Sequence, residues 1–280
     1  MQDKPRFASE YSIEQHELVR AACLHVATVL GDLKDEMVVV GGLVPSLLID
    51  QSALPGLTAA HVGTMDLDLG FELARLREER YRELTVRLRG AGFAPDQTEG
   101  GRAIRQRWRA AAGNSPVTVD FLIPPSGPND RGGTLQSIEK DFGAIITPGL
   151  ELAFIDRRRV SLSGYTISGE TANRDIWVCG PGAFVVLKAL AFLGRGANKD
   201  AYDLYYVVRN FGSGIEELAS SLRLLMDNIF AKKAVKILRD DFSSHNATGP
   251  RRVADFLHGC PSEETQADVV GFITALLDLF

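Results

Sequence analysis

Residues 66–71 read Asp-Leu-Asp-Leu-Gly-Phe, acid and apolar side chains alternating with a period of two. That period belongs to an extended strand, in which residues i and i+2 share a face. Leu67 and Leu69 then anchor in a core, while Asp66 and Asp68 stand side by side on the opposite face. Two adjacent carboxylates repel. The pair makes sense if a divalent cation sits between them, since hard oxygen donors suit Mg²⁺. The competing reading is two solvated acids on an edge strand, which the otherwise apolar run fits poorly.

Two further features lie within reach of that strand. Met37-Val38-Val39-Val40 reads as a short buried strand broken by Gly41-Gly42, and Leu43 to Asp50 then reads as helical. Glycines between a strand and a helix let backbone approach a phosphate, although a tight turn without any ligand gives the same pattern. A P-loop and a Gly-x-Gly-x-x-Gly fingerprint are both absent. Asp120 lies in the apolar run Val117 to Ile123; it is either a buried acid bonded to backbone or an arginine, or a third carboxylate able to ligate a metal and accept a proton. Three carboxylates and a glycine turn together describe a metal-dependent nucleotidyl-transfer site.

Length and composition bound the rest. A chain of 280 residues is enough for one large domain or two modest ones. The apolar run Ala183 to Leu193 is too short for a membrane span and carries Lys188, so no membrane is expected. The first residues show no apolar run after their charges, so no signal peptide is expected. The three cysteines form no Cys-x-x-Cys pair, which argues against a zinc site or disulfide framework and for a cytoplasmic setting. A net charge of −5 excludes a general nucleic-acid coat, yet Arg75 to Arg109 holds ten arginines against five acids. That stretch is either a polyanion surface or a solvated helix followed by an edge strand.

The pattern predicts a helix over 13–31, a strand over 65–71, a helix over 75–89, and paired strands over 102–109 and 117–123. Arg105, Arg107 and Arg109 share one face of the first strand of that pair. Loops are expected over 51–62 and 124–133, and short strands over 143–146, 160–167 and 176–179. From Pro181 the character changes to helices over roughly 181–194, 200–211, 215–240, 250–258 and 262–279. The expected organisation is an α+β domain over 1–179 and a helical domain over 180–280.

A second dense cluster spans Lys188, Arg195, Lys199, Asp200 and Asp203. A lysine inside an apolar helix needs a partner. It could meet a triphosphate, or an interhelical ion pair with Asp200 or Asp203 could position the helical half; both can hold together. His25 reads as a packed core residue, and His61 as a residue close enough to the Asp pair to touch substrate.

These residues resemble a known family. Gly41-Gly42, Asp66-x-Asp68 and Asp120 are similar to the nucleotidyltransferase superfamily of DNA polymerase β and the aminoglycoside nucleotidyltransferases. Lys188, Arg195, Lys199-Asp200 and Asp203-Leu204 more specifically resemble the AbiEii/MenT group, toxins of toxin–antitoxin and phage-defence systems. The resemblance runs from about residue 37 to about residue 210. It implies a polymerase β-like mixed sheet flanked by helices, plus a helical lobe. Asp66, Asp68 and Asp120 would hold Mg²⁺ or Mn²⁺. Gly41, Gly42, Ser46, Thr64, Lys188, Asp200 and Asp203 would surround an NTP, with Lys188 counted among the catalytic residues. Many relatives carry Ser or Thr after the glycines, where this chain has Leu43, and Arg four residues before the first Asp, where it has Val62. Arg105 and Arg107 could supply that missing charge or contact an acceptor. The expected activity is transfer of a nucleoside monophosphate to a hydroxyl, with tRNA the expected acceptor and a cognate antitoxin a possible partner. The alternatives are an antibiotic-type small-molecule nucleotidyltransferase and a non-catalytic nucleotide-binding module.

Overall fold

The computed structural model describes residues 5–54, 60–71, 78–112, 115–127 and 129–280, with backbone alone at 78 and 79. Arg75, Leu76, Arg77, Pro55, Gly56, Gly113 and Asn114 therefore lie outside the described residues. The chain is α+β and divides into two units. One holds Ile13–Leu43 and Gly63–Cys179. The other holds Val44–Val62 and Gly180–Phe280, together with residues 5–12. The expected single break at 179 is thus joined by further crossings, because Val44–Val62 packs with the helices rather than with the sheet that flanks it in sequence.

The first unit is built on a mixed sheet. Its described strands are β1 (Met37–Val40), β2 (Asp66–Phe71), β3 (Ala94–Gln97), β4 (Ala103–Ala112), β5 (Ser115–Ile123), β6 (Leu135–Glu139), β7 (Phe142–Ile146), β8 (Arg157–Tyr165) and β9 (Thr171–Cys179). The main order is β3-β4-β5-β2-β1-β9-β8, with β6 and β7 attached through β5. β1 runs antiparallel to β2, β2 parallel to β5, and β5 antiparallel to β4. β3 and β6 were not foreseen; the first contains Pro95 and shifts register there, and the second is largely polar, so neither shows an apolar alternation.

Helices α1 (Ile13–Leu30), α3 (Glu78–Gly90) and the short α4 (Leu152–Ile155) belong to this unit, while α2 (Val44–Leu48) belongs to the other. α1 buries Val19, Ala22, Cys23, Val26 and Leu30 and packs against α3 and strands β8 and β9. The strand alternation drives this core: Leu67, Val119, Phe121 and Trp108 are buried. Trp108, Phe121 and Phe142 meet edge-on, with Phe121 and Phe142 centroids 4.9 Å apart, the arrangement aromatic quadrupoles favour.

The second unit is helical: α5 (Pro181–Arg195), α6 (Asn198–Asn210), α7 (Ile215–Arg223), α8 (Ile229–Phe242), α9 (Thr248–His258) and α10 (Glu263–Leu277). Pro181 occupies the first turn of α5, where its missing N–H costs nothing, and Gly196 ends the helix in the left-handed region at φ 61°. The expected helix over 215–240 is two helices. The side chain of Asn228 accepts from the backbone N–H of Phe230 and caps a new helix there. Among the described residues no helix is long and apolar enough to cross a membrane.

Candidate functional site

Strand register carries the acids into one neighbourhood. Asp68 on β2 lies opposite Asp120 on β5, and Asp120 lies opposite Arg107 on β4. One row of the sheet therefore reads Val40, Asp68, Asp120, Arg107. The next row holds Asp66, Thr118 and Arg109. Residues in register share a face, so all three aspartates project from the side opposite Leu67 and Val119. Asp66 is 9% exposed, and Thr64 donates from Oγ1 to its Oδ1 at 3.2 Å.

Gly41 serves this row directly. It ends β1 at φ 73°, and a Cβ there would lie 1.9 Å from Oδ2 of Asp68. The bare glycine makes room for a carboxylate, a role the sequence reading had given to phosphate approach. Gly42 and Leu43 are buried beside it. Ser46 falls on α2, in the helical unit, and that helix is only five residues long, too short to present much of a dipole to an anion.

Arg107 is the unexpected member. Its Nε donates to Asp120 Oδ1 at 2.7 Å, its Nη2 donates to Asp120 Oδ2, and the same nitrogen lies 3.8 Å from Asp66 Oδ2. The hydrogen bonds it donates to Asp120 raise the guanidinium above its ordinary value; burial opposes this, and the charges of Asp120, Asp66 and Asp68 reinforce it. Arg107 thus faces the carboxylates.

Further arginines of the stretch are also engaged. Arg105 donates to Ser137 Oγ at 2.6 Å, Arg109 meets Asp96 at 3.5 Å, and Arg89 meets Asp141 at 3.4 Å while lying over Trp108. Arg80 and Arg87 both bind Asp32, whose exposed carboxyl is drawn down to about 2 by those hydrogen bonds.

In kind, three carboxylates suit Mg²⁺ or Mn²⁺. In arrangement they do not yet form a metal site. Among the described residues no group of three His, Cys, Asp or Glu side chains is placed to hold a metal ion. Asp120 gives both carboxylate oxygens to Arg107, and a guanidinium stands where the sequence reading put a cation.

The helical unit holds the second cluster. Lys188 on α5 donates to Asp203 Oδ2 at 2.7 Å and to Asp200 Oδ1 at 3.2 Å, both on α6. Arg195 grips Asp200 through Nε and Nη2 at 2.6 and 2.7 Å. Lys199 and His61 both reach Asp203 Oδ1, the histidine at 2.8 Å. The carboxylate can only accept, so His61 carries a proton on Nε2. Tyr202 stacks on His61 at 5.3 Å and Tyr206 meets it edge-on at 4.9 Å.

Both aspartates are fully buried. Burial opposes the charge of Asp203, but Lys188, Lys199 and His61 overcome it and hold the carboxyl far below its usual range. Burial likewise works against Lys188, and Asp203 and Asp200 reverse it, leaving the ammonium above its usual value. Lys188 therefore makes the interhelical ion pair. His61 bonds to Asp203. No sequence signal marked that partnership, because the two residues are 142 positions apart.

No model of a known protein family matches the chain, and no curated protein matches it.

Proposed function

We propose that this chain is a metal-dependent nucleotidyltransferase of the polymerase β-like superfamily, similar in kind to the AbiEii/MenT toxins. The observation that carries the reading is the alignment of Asp66, Asp68 and Asp120 on one sheet face, with Gly41 making room for the Asp68 carboxylate. Adjacent like charges are costly, and a chain that buries a glycine turn to accommodate one is built to use it.

Asp66 and Asp68 would hold Mg²⁺ or Mn²⁺, with Asp120 joining them once Arg107 releases it. When bound, the ion supplies charge neutralisation for a polyphosphate. An acceptor hydroxyl forms a bond to the α-phosphorus of an NTP while the bond to pyrophosphate breaks, and Asp120 takes the hydroxyl proton. Thr64 orients Asp66. Lys188 donates to Asp200 and Asp203 and with them orders the helical unit. Arg195, Lys199 and His61 hold those aspartates in place.

Arg105, exposed on β4, is the residue assigned to an RNA acceptor, with tRNA the expected substrate and growth inhibition in the cytoplasm the outcome; a cognate antitoxin would restrain it. A second reading is favoured by the engaged arginines and the net charge of −5: a small cationic hydroxyl acceptor. Incubating the protein with labelled NTPs and either total tRNA or an aminoglycoside separates the two. Label on tRNA, lost in Asp66→Ala and Asp68→Ala, supports the RNA reading. Label only on an aminoglycoside supports the small-molecule reading, and no label on either acceptor overturns the transferase assignment.

A further inference from the structure

We propose that the outer edge of β8 is a self-pairing surface, on which a second copy of this chain adds its own β8 antiparallel about a two-fold axis at Ser161. The sheet order ends at β8, which pairs with β9 and packs against α1. The backbone N–H of Thr166 donates to the carbonyl of Glu170 at 2.8 Å, which fixes the phase of the ladder that follows. Antiparallel pairs alternate between bonded and non-bonded. Arg157, Arg159, Ser161, Ser163 and Tyr165 therefore turn their N–H and C=O groups away from β9, and no other described strand pairs with them. The comparable edges are blunted. β3 is four residues long, with Pro95 and a register shift, and β6 is a short polar strand with a register shift of its own. β8 holds one register with β9 through all nine of its residues and contains no proline. An uncovered edge of that length and regularity is a template for another strand.

The order of side chains along β8 selects a second copy as the occupant. Arg157, Arg158 and Arg159 crowd one end, and Val160 to Tyr165 carries no charge. Parallel pairing in register would set arginine beside arginine, and so would a two-fold axis at Arg159; like charges directly opposite are destabilising. An axis at Ser161 sets Arg157 opposite Tyr165 of the second copy, Arg158 opposite Gly164, Arg159 opposite Ser163 and Val160 opposite Leu162. No two arginines are then opposite or diagonal. Ser161 turns its backbone groups outward, so it can exchange both bonds with its own copy across the axis. Tyr165 is 71% exposed, and its ring would flank a guanidinium that already lies 4.1 Å over Trp177. A Cβ at Gly164 would meet nothing within 4 Å, which leaves room for Arg158. An acidic peptide would find charge at one end of the strand alone, whereas a second copy uses its whole length, and the symmetry makes every contact twice. One strand pair buries less than a standard interface, so the dissociation constant should be on the order of ten micromolar.

Sedimentation velocity of the full chain, over a concentration series spanning that constant, is the test, with Ser161→Pro, Ser163→Glu and Ser163→Lys beside wild type. Wild type should pass from monomer to dimer. Ser161→Pro removes an N–H that β9 does not use, a change an edge strand tolerates, and should stay monomeric throughout. Ser163→Glu sets a carboxylate opposite Arg159 of the second copy, twice by symmetry, and should tighten the dimer on the order of fivefold. Ser163→Lys sets an ammonium there and should weaken it by a similar factor. Ser163 is exposed, so both of its variants keep the test usable if the proline variant does not fold. A wild type that stays monomeric across the series overturns the proposal. So does a dimer that persists in a folded Ser161→Pro, or one whose affinity the two Ser163 variants move in the same direction or not at all.

Discussion

Gly41 lies with its bare Cα against the carboxylate of Asp68, so close that a Cβ would fall 1.9 Å from Oδ2. Gly41→Ala must move one of the two, and its φ of 73° disfavours a side chain as well. The expected result is a stability loss above about 1 kcal/mol together with loss of nucleotide transfer. Gly92→Ala is the matched control: its φ of 83° imposes similar strain, but nothing lies within 4 Å of the added Cβ. Denaturant unfolding and turnover measured side by side distinguish them. If Gly92→Ala costs as much activity as Gly41→Ala, the contact with Asp68 is not what matters.

Depth should separate the two arginine- and lysine-bound aspartates of the helical unit from their partners. Asp203 is fully buried beneath Lys188, Lys199 and His61. Asp203→Ala leaves buried cations unpaired and should cost about 3–5 kcal/mol. Arg195, whose side chain is 58% exposed, contacts the same cluster from outside. Arg195→Ala should cost less than that, because Lys188 still pairs the buried Asp200. Urea unfolding of both variants is the check, and equal losses would contradict the buried ion-pair description.

The same cluster has a definite pH signature. The Asp203 carboxyl is depressed in the folded state, so its stabilising contribution is present above the ordinary aspartate value of about 3.9 and fades as pH falls below it. The Lys188 ammonium is raised, so its contribution is complete below the ordinary lysine value of about 10.4 and fades as pH rises beyond it. Between those limits the pair contributes a constant amount. The stability difference between wild type and a Lys188→Met, Asp203→Leu double variant should accordingly shrink below about pH 4. A difference that does not change there would contradict the depressed Asp203 carboxyl, whereas a slope nearer neutrality belongs to His61 and Lys199, which lose the same partner.

Thiol chemistry checks the packing independently of function. Cys23 is buried on α1, where desolvation pushes its thiol up to about 12. Cys179 is buried at the end of β9, and desolvation also raises it. Cys260 is exposed. A disulfide reagent at pH 8 should therefore titrate one thiol in the native protein and three in denaturant. Rapid native reaction of a second thiol would place Cys23 or Cys179 outside the core.

What the sequence made readable was local. The helix from Ile13, the strand at Met37–Val40 and the Asp-bearing strand each announce themselves through spacing that a single element can satisfy. Neither β3, with its proline and register shift, nor β6, with its polar run, has such a pattern; each is a strand only because a neighbour pairs with it. The split between α7 and α8 turns on one capping asparagine inside an otherwise helical stretch. At the site, alternation placed Asp66 with Asp68 and Arg105 with Arg107. It could not show that β4 pairs with β5 in the register that sets Arg107 against Asp120. Nor could it bring His61 to Asp203, since pairing across that separation is decided by how the helices pack.

That register changes what the arginines should do to an RNA acceptor. Arg105 and Arg107 look equivalent in sequence, two residues apart on one strand face. Arg105 is exposed, and its guanidinium donates to the hydroxyl of Ser137, a neutral partner that leaves its charge uncancelled. Arg107 has its charge matched by the carboxylate of Asp120. Each phosphate neutralised by a protein cation releases counterions and steepens the salt dependence of binding. Arg105→Gln should therefore weaken RNA binding and reduce the salt slope by about one unit. In the absence of metal, Arg107→Gln should leave the slope unchanged, because removing a cation already bound to a carboxylate frees no phosphate contact. Filter binding of tRNA over a salt series, with chelator present, measures both. A slope lowered by Arg107→Gln but not by Arg105→Gln would reverse the assignment and put the guanidinium of Arg107 on the acceptor.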